Sequence, residues 1–156
     1  MKSGFTLIEL MVVVAIVVFL TMLAIPNFTR FLAKAKRTEA YANLHALYMA
    51  QKAYWAEHGT YAPALAGPQG AGWQPEGYKG GGLQENFYYT YGLPGTEGTH
   101  YFTGKLNTPA SLLSGGYANK DSFVIMAAGY INGEKKPDIL SINQDNKITI
   151  VQDALL

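Results

Sequence analysis

Two sets of side chains in this sequence could do chemistry. The first is a single carboxylate, Glu9, set inside the run Phe5–Ile25 (FTLIELMVVVAIVVFLTMLAI), which has no other charge. An acid inside a membrane-compatible run is expensive at mid-bilayer and cheaper near a helix end, where it reaches the headgroups. On its position alone, a headgroup-facing acid and a functional one stand equally. The second set is Asp138, Ser141, Asn143 and Asp145 within DILSINQD, an oxygen-rich group close to the C-terminus. The spacing is not that of an EF-hand, and plain strand alternation accounts for the pattern equally well. The remaining candidates are weaker. His45, His58 and His100 have no metal-ligand spacing, there is no cysteine, and Gly80-Gly81-Gly82 lacks the Lys-Ser/Thr of a phosphate loop. No Ser/His/Asp or Cys/His constellation occurs, so no catalytic activity is expected.

The element that must carry Glu9 is a helix. Twenty-one residues, Phe5–Ile25, make about 31 Å of helix, enough to cross a hydrocarbon core. The run is too long for the apolar region of a cleaved signal peptide, and no small-residue cleavage site follows it. Helix formers continue to His58, with Leu44, Leu47, Tyr48, Gln51, Tyr54 and Trp55 at spacings of three and four, and Gly59 supplies a stop. The spacing predicts one helix over 5–58, weakened near 22–26 by Pro26, which has no N–H and crowds the preceding turn. Residues 59–86 are rich in Gly and Pro and read as a long connection. Strands are expected at Phe87–Tyr91, around Tyr101–Thr103, and over Ser122–Ile131, Asp138–Ile142 and Lys147–Val151. Turns fall at Asn132-Gly133 and Gln144-Asp145-Asn146, giving three or four antiparallel strands with one face on the helix. Tyr89, Tyr91, Tyr101 and Phe102, and the aromatics along the helix, read as packing residues.

The bulk properties agree. The chain has 156 residues, a formal charge of +1, 11 tyrosines and 17 glycines, which suits an anchor plus one modest domain with a sheet. Arg30, Lys34, Lys36 and Arg37 form a basic cluster after the apolar run. With no interleaved stacking aromatics it reads as a solvated face, and no nucleic-acid partner is expected.

Gly4-Phe5-Thr6-Leu7-Ile8-Glu9, followed by the apolar run, resembles the N-terminus of type IV prepilins and of the pseudopilins of type II secretion and competence systems. The resemblance is specific over Gly4–Pro26 and extends more weakly through Ala53–Leu65 (AYWAEHGTYAPAL). It implies that a membrane peptidase cuts after Gly4 and methylates the new N-terminal amine of Phe5, with Met1–Gly4 as a leader. It implies that the Phe5 amine of a neighbouring subunit pairs with Glu9 in a low-dielectric filament core and fixes axial register. The leader here has one basic residue, Lys2, and the charge balance across the run opposes the orientation that the family's targeting imposes. Members often carry a mid-run glycine. Ile16-Val17-Val18-Phe19 has none, which leaves Pro26 as the point of local melting on assembly.

The reading is therefore an α+β protein of pilin fold: a long N-terminal helix, half transmembrane and half amphipathic, packed on a small C-terminal antiparallel sheet. Residues 1–4 are the leader, 5–26 the membrane and filament-core half, and 27–156 the globular domain. The function implied is that of a non-enzymatic subunit of a type IV pilus-like helical filament. Its partners would be other copies, the prepilin peptidase/methyltransferase, inner-membrane assembly machinery, and lipid before assembly. It would wait in the inner membrane with its N-terminus cytoplasmic and finish in a surface pilus. The alternatives are a periplasmic type II secretion pseudopilin, stabilised in that family by calcium near the C-terminus, and a monomeric membrane-tethered binding domain or enzyme. No cofactor is expected otherwise.

Overall fold

A computed structural model describes residues 4–133 and 136–156. Met1, Lys2 and Ser3 of the expected leader lie outside the described residues. One helix, α1, runs Leu7–His58 with Pro26 inside it. The fold then continues through strands β1 (Thr90–Gly92), β2 (Tyr101–Phe102), β3 (Tyr117–Ala118), β4 (Phe123–Gly129), β5 (Asp138–Asn143) and β6 (Ile148–Gln152), with a 3₁₀ turn at Ala110–Leu113. The chain divides into two compact units, the first ending at Leu32 and the second running Ala33–Leu156. Ala33 is the first helical residue that is buried.

Within Ala33–Leu156, α1 buries a stripe of Ala33, Arg37, Ala40, Leu44, Leu47 and Gln51. The steps of four and three keep these side chains on one side of a 3.6-residue helix. Leu44 and Leu47 are wholly buried, and each contributes about 1.5–3 kcal/mol by leaving water. The stripe begins at Ala33, about three turns before the Leu44 where the sequence spacing starts, and ends at Gln51. Tyr54 is only partly covered and stacks on His58 with ring centroids 4.0 Å apart, while Trp55 is 45% exposed. The physical reason is the turn that follows. Gln51 Nε2 donates to the Ala62 carbonyl (3.0 Å) and its Oε1 accepts from the Ala62 N–H (2.8 Å), so the returning chain closes the core at Gln51. Gly59 makes that return possible: its φ is +69°, and its N–H donates to the Trp55 carbonyl (2.8 Å), the αL cap expected at C′.

The sheet is antiparallel and has six strands, in the order β2-β1-β4-β5-β6, with β3 also pairing β4. Six strands exceed the expected three or four; β2 falls in the run expected around Tyr101–Thr103, whereas the two-residue β3 lies outside every expected run and is too short to leave a periodicity. The run expected as a strand at Phe87–Tyr91 is assigned only from Thr90, although Phe87 and Tyr88 still accept from the Lys105 and Leu106 N–H groups (2.8 and 3.1 Å). Strand β4 is central and covered on both faces, which explains why SFVIMAAGYI reads as continuous apolar sequence. Phe123, Ile125 and Ala127 join the main core with Leu44, Leu47, Tyr89 and Tyr91. Met126 and Ala128 pack with Leu113 and Ile139 in a second cluster. The β5–β6 turn closes as expected. Asn146 adopts φ +59° after the bend, and Asn143 Oδ1 accepts from the N–H groups of Asp145 (3.1 Å) and Lys147 (3.0 Å).

Candidate functional site

The N-terminal segment begins with an exposed, non-helical Gly4-Phe5 pair. No atom lies within 4 Å of where a Gly4 side chain would stand, and Phe5 is 81% exposed, so the peptide bond between them is open to an enzyme. Thr6 then caps the helix. Its Oγ1 accepts from the Glu9 N–H (3.2 Å), while Glu9 Oε2 accepts from the Thr6 N–H (2.9 Å) and the Thr6 hydroxyl (2.7 Å). This is a reciprocal capping box, T-x-x-E, with Glu9 at the third helical position. It satisfies helix-end N–H groups that would otherwise lack partners in an apolar medium. The signal was present in the sequence as Thr6-x-x-Glu9 ahead of an apolar run, but reading Glu9 only as a charge passes over it. The cap also aims one carboxylate oxygen back at the chain's start, beside the residue whose amine a cut after Gly4 would free.

The rest of the segment is an apolar cylinder. Every residue from Gly4 to Leu32 is exposed within the chain. By length and composition, α1 contains a stretch able to cross a membrane, and none of that stretch is buried. Polar groups along it turn inward on the backbone. Thr21 Oγ1 donates to the Val17 carbonyl (2.7 Å) and Thr29 Oγ1 to the Pro26 carbonyl (3.0 Å). Pro26 offers no N–H to the Met22 carbonyl, and the neighbouring Asn27 amide leans on the Leu23 carbonyl at 3.4 Å. The helix assignment nevertheless passes through Pro26 unbroken.

The oxygen-rich C-terminal set does not converge. Asp138 and Asn143 are the two ends of β5, paired with Gly129 and Val124 at opposite ends of β4, about 17 Å apart along an extended strand. Asp138 is wholly buried and fully engaged: Arg37 Nε donates to its Oδ2 (2.9 Å), Arg37 Nη2 to its Oδ1, the Tyr89 hydroxyl to Oδ2 (2.7 Å) and the Ala154 N–H to Oδ1 (3.0 Å). Ser141 lies mid-strand, and Asn143 and Asp145 organise the hairpin turn. One calcium cannot be shared by these four residues, because strand length separates them and a guanidinium already neutralises Asp138.

Arg37 is the residue that the basic-cluster reading misplaced. It is buried within the α1 stripe, and its Nη2 also donates to Asp153, clamping β5 and the C-terminal segment to the helix. Desolvation opposes its charge, but the bonds to Asp153 and Asp138 drive its pKa further above the usual range. Burial, then the bond to Asp138, pushes the Tyr89 hydroxyl up. Glu39 is also an internal partner: its Oε1 accepts from the Tyr88 N–H (2.9 Å) and the Tyr91 hydroxyl (3.1 Å), and burial raises its carboxyl pKa. Lys36 lies over the Tyr88 ring, 5.4 Å from its centroid. Nothing in a basic-residue count separates Arg37 from Lys34. Its partners lie 101 and 116 residues away in sequence.

Comparison with known proteins places a family signature on this segment. Residues 1–25 match the "Prokaryotic N-terminal methylation motif". A 61-residue stretch is 56% identical to "Type IV major pilin protein PilA" of Myxococcus xanthus (strain DK1622), covering 39% of this chain and 28% of the length of that relative.

Proposed function

We infer, from the premise that its N-terminal segment is of the type IV pilin family, that this chain is the structural subunit of a type IV pilus-like filament. The observation that carries the reading is a capped acid at the head of an apolar helix half that is exposed throughout, immediately after an accessible Gly4-Phe5 bond. Cleavage after Gly4 leaves Phe5 as the first residue, whose amine is methylated. Until assembly the apolar half rests in the inner membrane. On assembly it exchanges lipid contacts for contacts with the same half of other copies, by close helix packing. A neighbour's Phe5 amine then approaches Glu9, and two opposite charges in a dry core hold each other strongly only when the spacing is right. Pro26, where the backbone ladder is already one bond short, is where the helix loosens. The sheet domain faces outward. The name of the relative, a major pilin, favours a surface pilus over a periplasmic pseudopilus.

Two measurements test this. Mass spectrometry of the mature chain is expected to find an N-methylated Phe5 and no Met1–Gly4. Glu9→Ala is expected to leave the subunit in the membrane and to cut its recovery in sheared filaments at least tenfold. An intact Met1 would remove the processing step, and normal filaments from Glu9→Ala would remove the pairing.

A further inference from the structure

Away from the N-terminal segment and the Arg37 clamp, one buried charge has no explanation. Glu85 is 1% exposed, and its Oε2 is buried with no hydrogen-bond partner among the described residues. Its other oxygen, Oε1, accepts from the N–H groups of Lys79 and Gly81, both at 2.8 Å. Leaving the second oxygen of a buried carboxylate bare is costly, and folded proteins relieve that cost with a cation or a strong donor. Among the described residues the salt bridges belong to Arg37, and none reaches Glu85. The nearby ammonium of Lys79 is turned to the Gln84 carbonyl (3.0 Å).

A second carboxylate meets the same point. A Cβ at Gly81 would collide with Glu97 Oε1, while the Gly81 N–H holds Glu85. The backbone at Gly81 has φ +92°, between Gly80 at +106° and Gly82 at +88°. Only glycine tolerates such a run and leaves space for both acids. Burial, then the charges of Glu97 and Glu85, raises the Tyr78 hydroxyl pKa, so both acids act on one phenol. An amide oxygen, Asn107 Oδ1, lies 3.8 Å from where a Gly82 side chain would stand. The loop is held to its neighbour by the Gly82 N–H, which donates to the Thr103 carbonyl (3.0 Å).

We propose that Glu85 and Glu97, gathered around Gly81, bind a hard divalent cation, calcium by ligand chemistry, that ties the glycine loop 79–85 to the segment 97–103. All the donors are oxygen, with no imidazole or thiolate among them, which selects calcium over zinc. No group of three or more His, Cys, Asp or Glu residues assembles a metal site among the described residues. Neutral oxygens and water therefore complete the shell, and the affinity falls in the weak extracellular class, about 0.1–1 mM. The site is distinct from DILSINQD and does not depend on the filament reading.

The test uses the full chain in detergent micelles, stripped with EDTA. Calcium chloride at about ten times the expected dissociation constant should raise the midpoint of thermal unfolding by about 3 °C or more. Sodium chloride of equal ionic strength should not. Bound terbium should luminesce on tyrosine excitation through Tyr78, with calcium competing it away. Glu85→Gln should abolish both responses, and Glu97→Gln, a change at an exposed side chain, should weaken both at least fivefold. Glu76→Gln, outside the cluster, should leave both intact. A wild-type chain without a calcium-specific shift overturns the proposal, as does a shift that survives in Glu97→Gln at full size. If Glu85→Gln does not fold, Glu97→Gln decides.

Discussion

The two stretches of α1 on either side of Leu32 are written in different chemical languages. From Leu7 to Leu32 large apolar side chains cover every side of the helix, and each is exposed within the chain. From Ala33 to His58 burial narrows to one stripe, and the other faces carry Lys, Glu and His. A helix that is apolar all round requires apolar surroundings on every side, and every described residue of the first stretch is exposed. The second stretch finds its apolar surroundings in the sheet. The two stretches also handle charge differently. Glu9 meets only its own helix end, through Thr6, whereas Arg37 meets two acids of its own domain. One charge is held by its own helix cap and the other by two acids distant in sequence.

That contrast is broken most forcefully at Arg37. Replacing it with Ala strands Asp138, which is wholly buried, and removes a contact of Asp153. Loss of one partner from a buried pair typically costs about 3–5 kcal/mol. Chemical denaturation of the full chain in micelles should show a loss of that order for Arg37→Ala. Lys34→Ala, one turn earlier and exposed, should change stability by less than about 0.5 kcal/mol. Equal effects would mean that the clamp is decorative.

A matched pair of truncations sharpens the same contrast. Leu44→Ala opens a cavity in a core where Leu44 is wholly buried, and should cost about 2–5 kcal/mol of domain stability. Leu10→Ala removes the same atoms from a side chain that is 58% exposed and should leave domain stability within about 0.5 kcal/mol. If the first stretch is a filament core, Leu10→Ala instead lowers the mechanical or detergent resistance of isolated filaments. A Leu10→Ala chain that loses domain stability as Leu44→Ala does would erase the distinction.

Much of this architecture is legible in the sequence because its causes are local. The apolar run, the glycine stop at Gly59, the Asn143–Lys147 hairpin and the long β4 strand each carry their signal within a few residues. The helix stripe was half legible: Leu44, Leu47 and Gln51 follow the spacing, but Tyr54 and Trp55 share that spacing and are left outside by a loop that closes at Gln51. The cap at Thr6-Glu9 was legible and hidden by a louder feature, the charge itself. The Arg37 clamp and the Glu85–Glu97 pair were not legible. Whether a charged residue is buried depends on partners brought together by topology, and two of these strands are too short to announce that topology. The oxygen-rich DILSINQD misleads for the same reason: adjacency in sequence becomes distance along a strand.

The smallest expected effect is a pH dependence, and it follows from the clamp's outer acid. The bond from Arg37, then the Leu155 N–H, holds the Asp153 carboxyl below its usual range. A depressed carboxylate stabilises the fold at pH values above its unfolded pKa, and that contribution disappears as pH falls through the folded value. Glu39 has the opposite sign, because burial raises its pKa, so its charge costs stability and acidification relieves that cost. Asp153 remains 22% exposed at its side chain, so solvent screens the pair and its contribution should be about 1 kcal/mol or less. Asp153→Asn should therefore unfold at a slightly lower temperature than wild type at neutral pH, and the gap should close as pH drops below the ordinary aspartate range. Glu39→Gln should show the reverse trend, gaining least at low pH. A gap for Asp153→Asn that stays constant on acidification would mean that Asp153 acts through packing, and that Asp138 alone carries the electrostatics of the clamp.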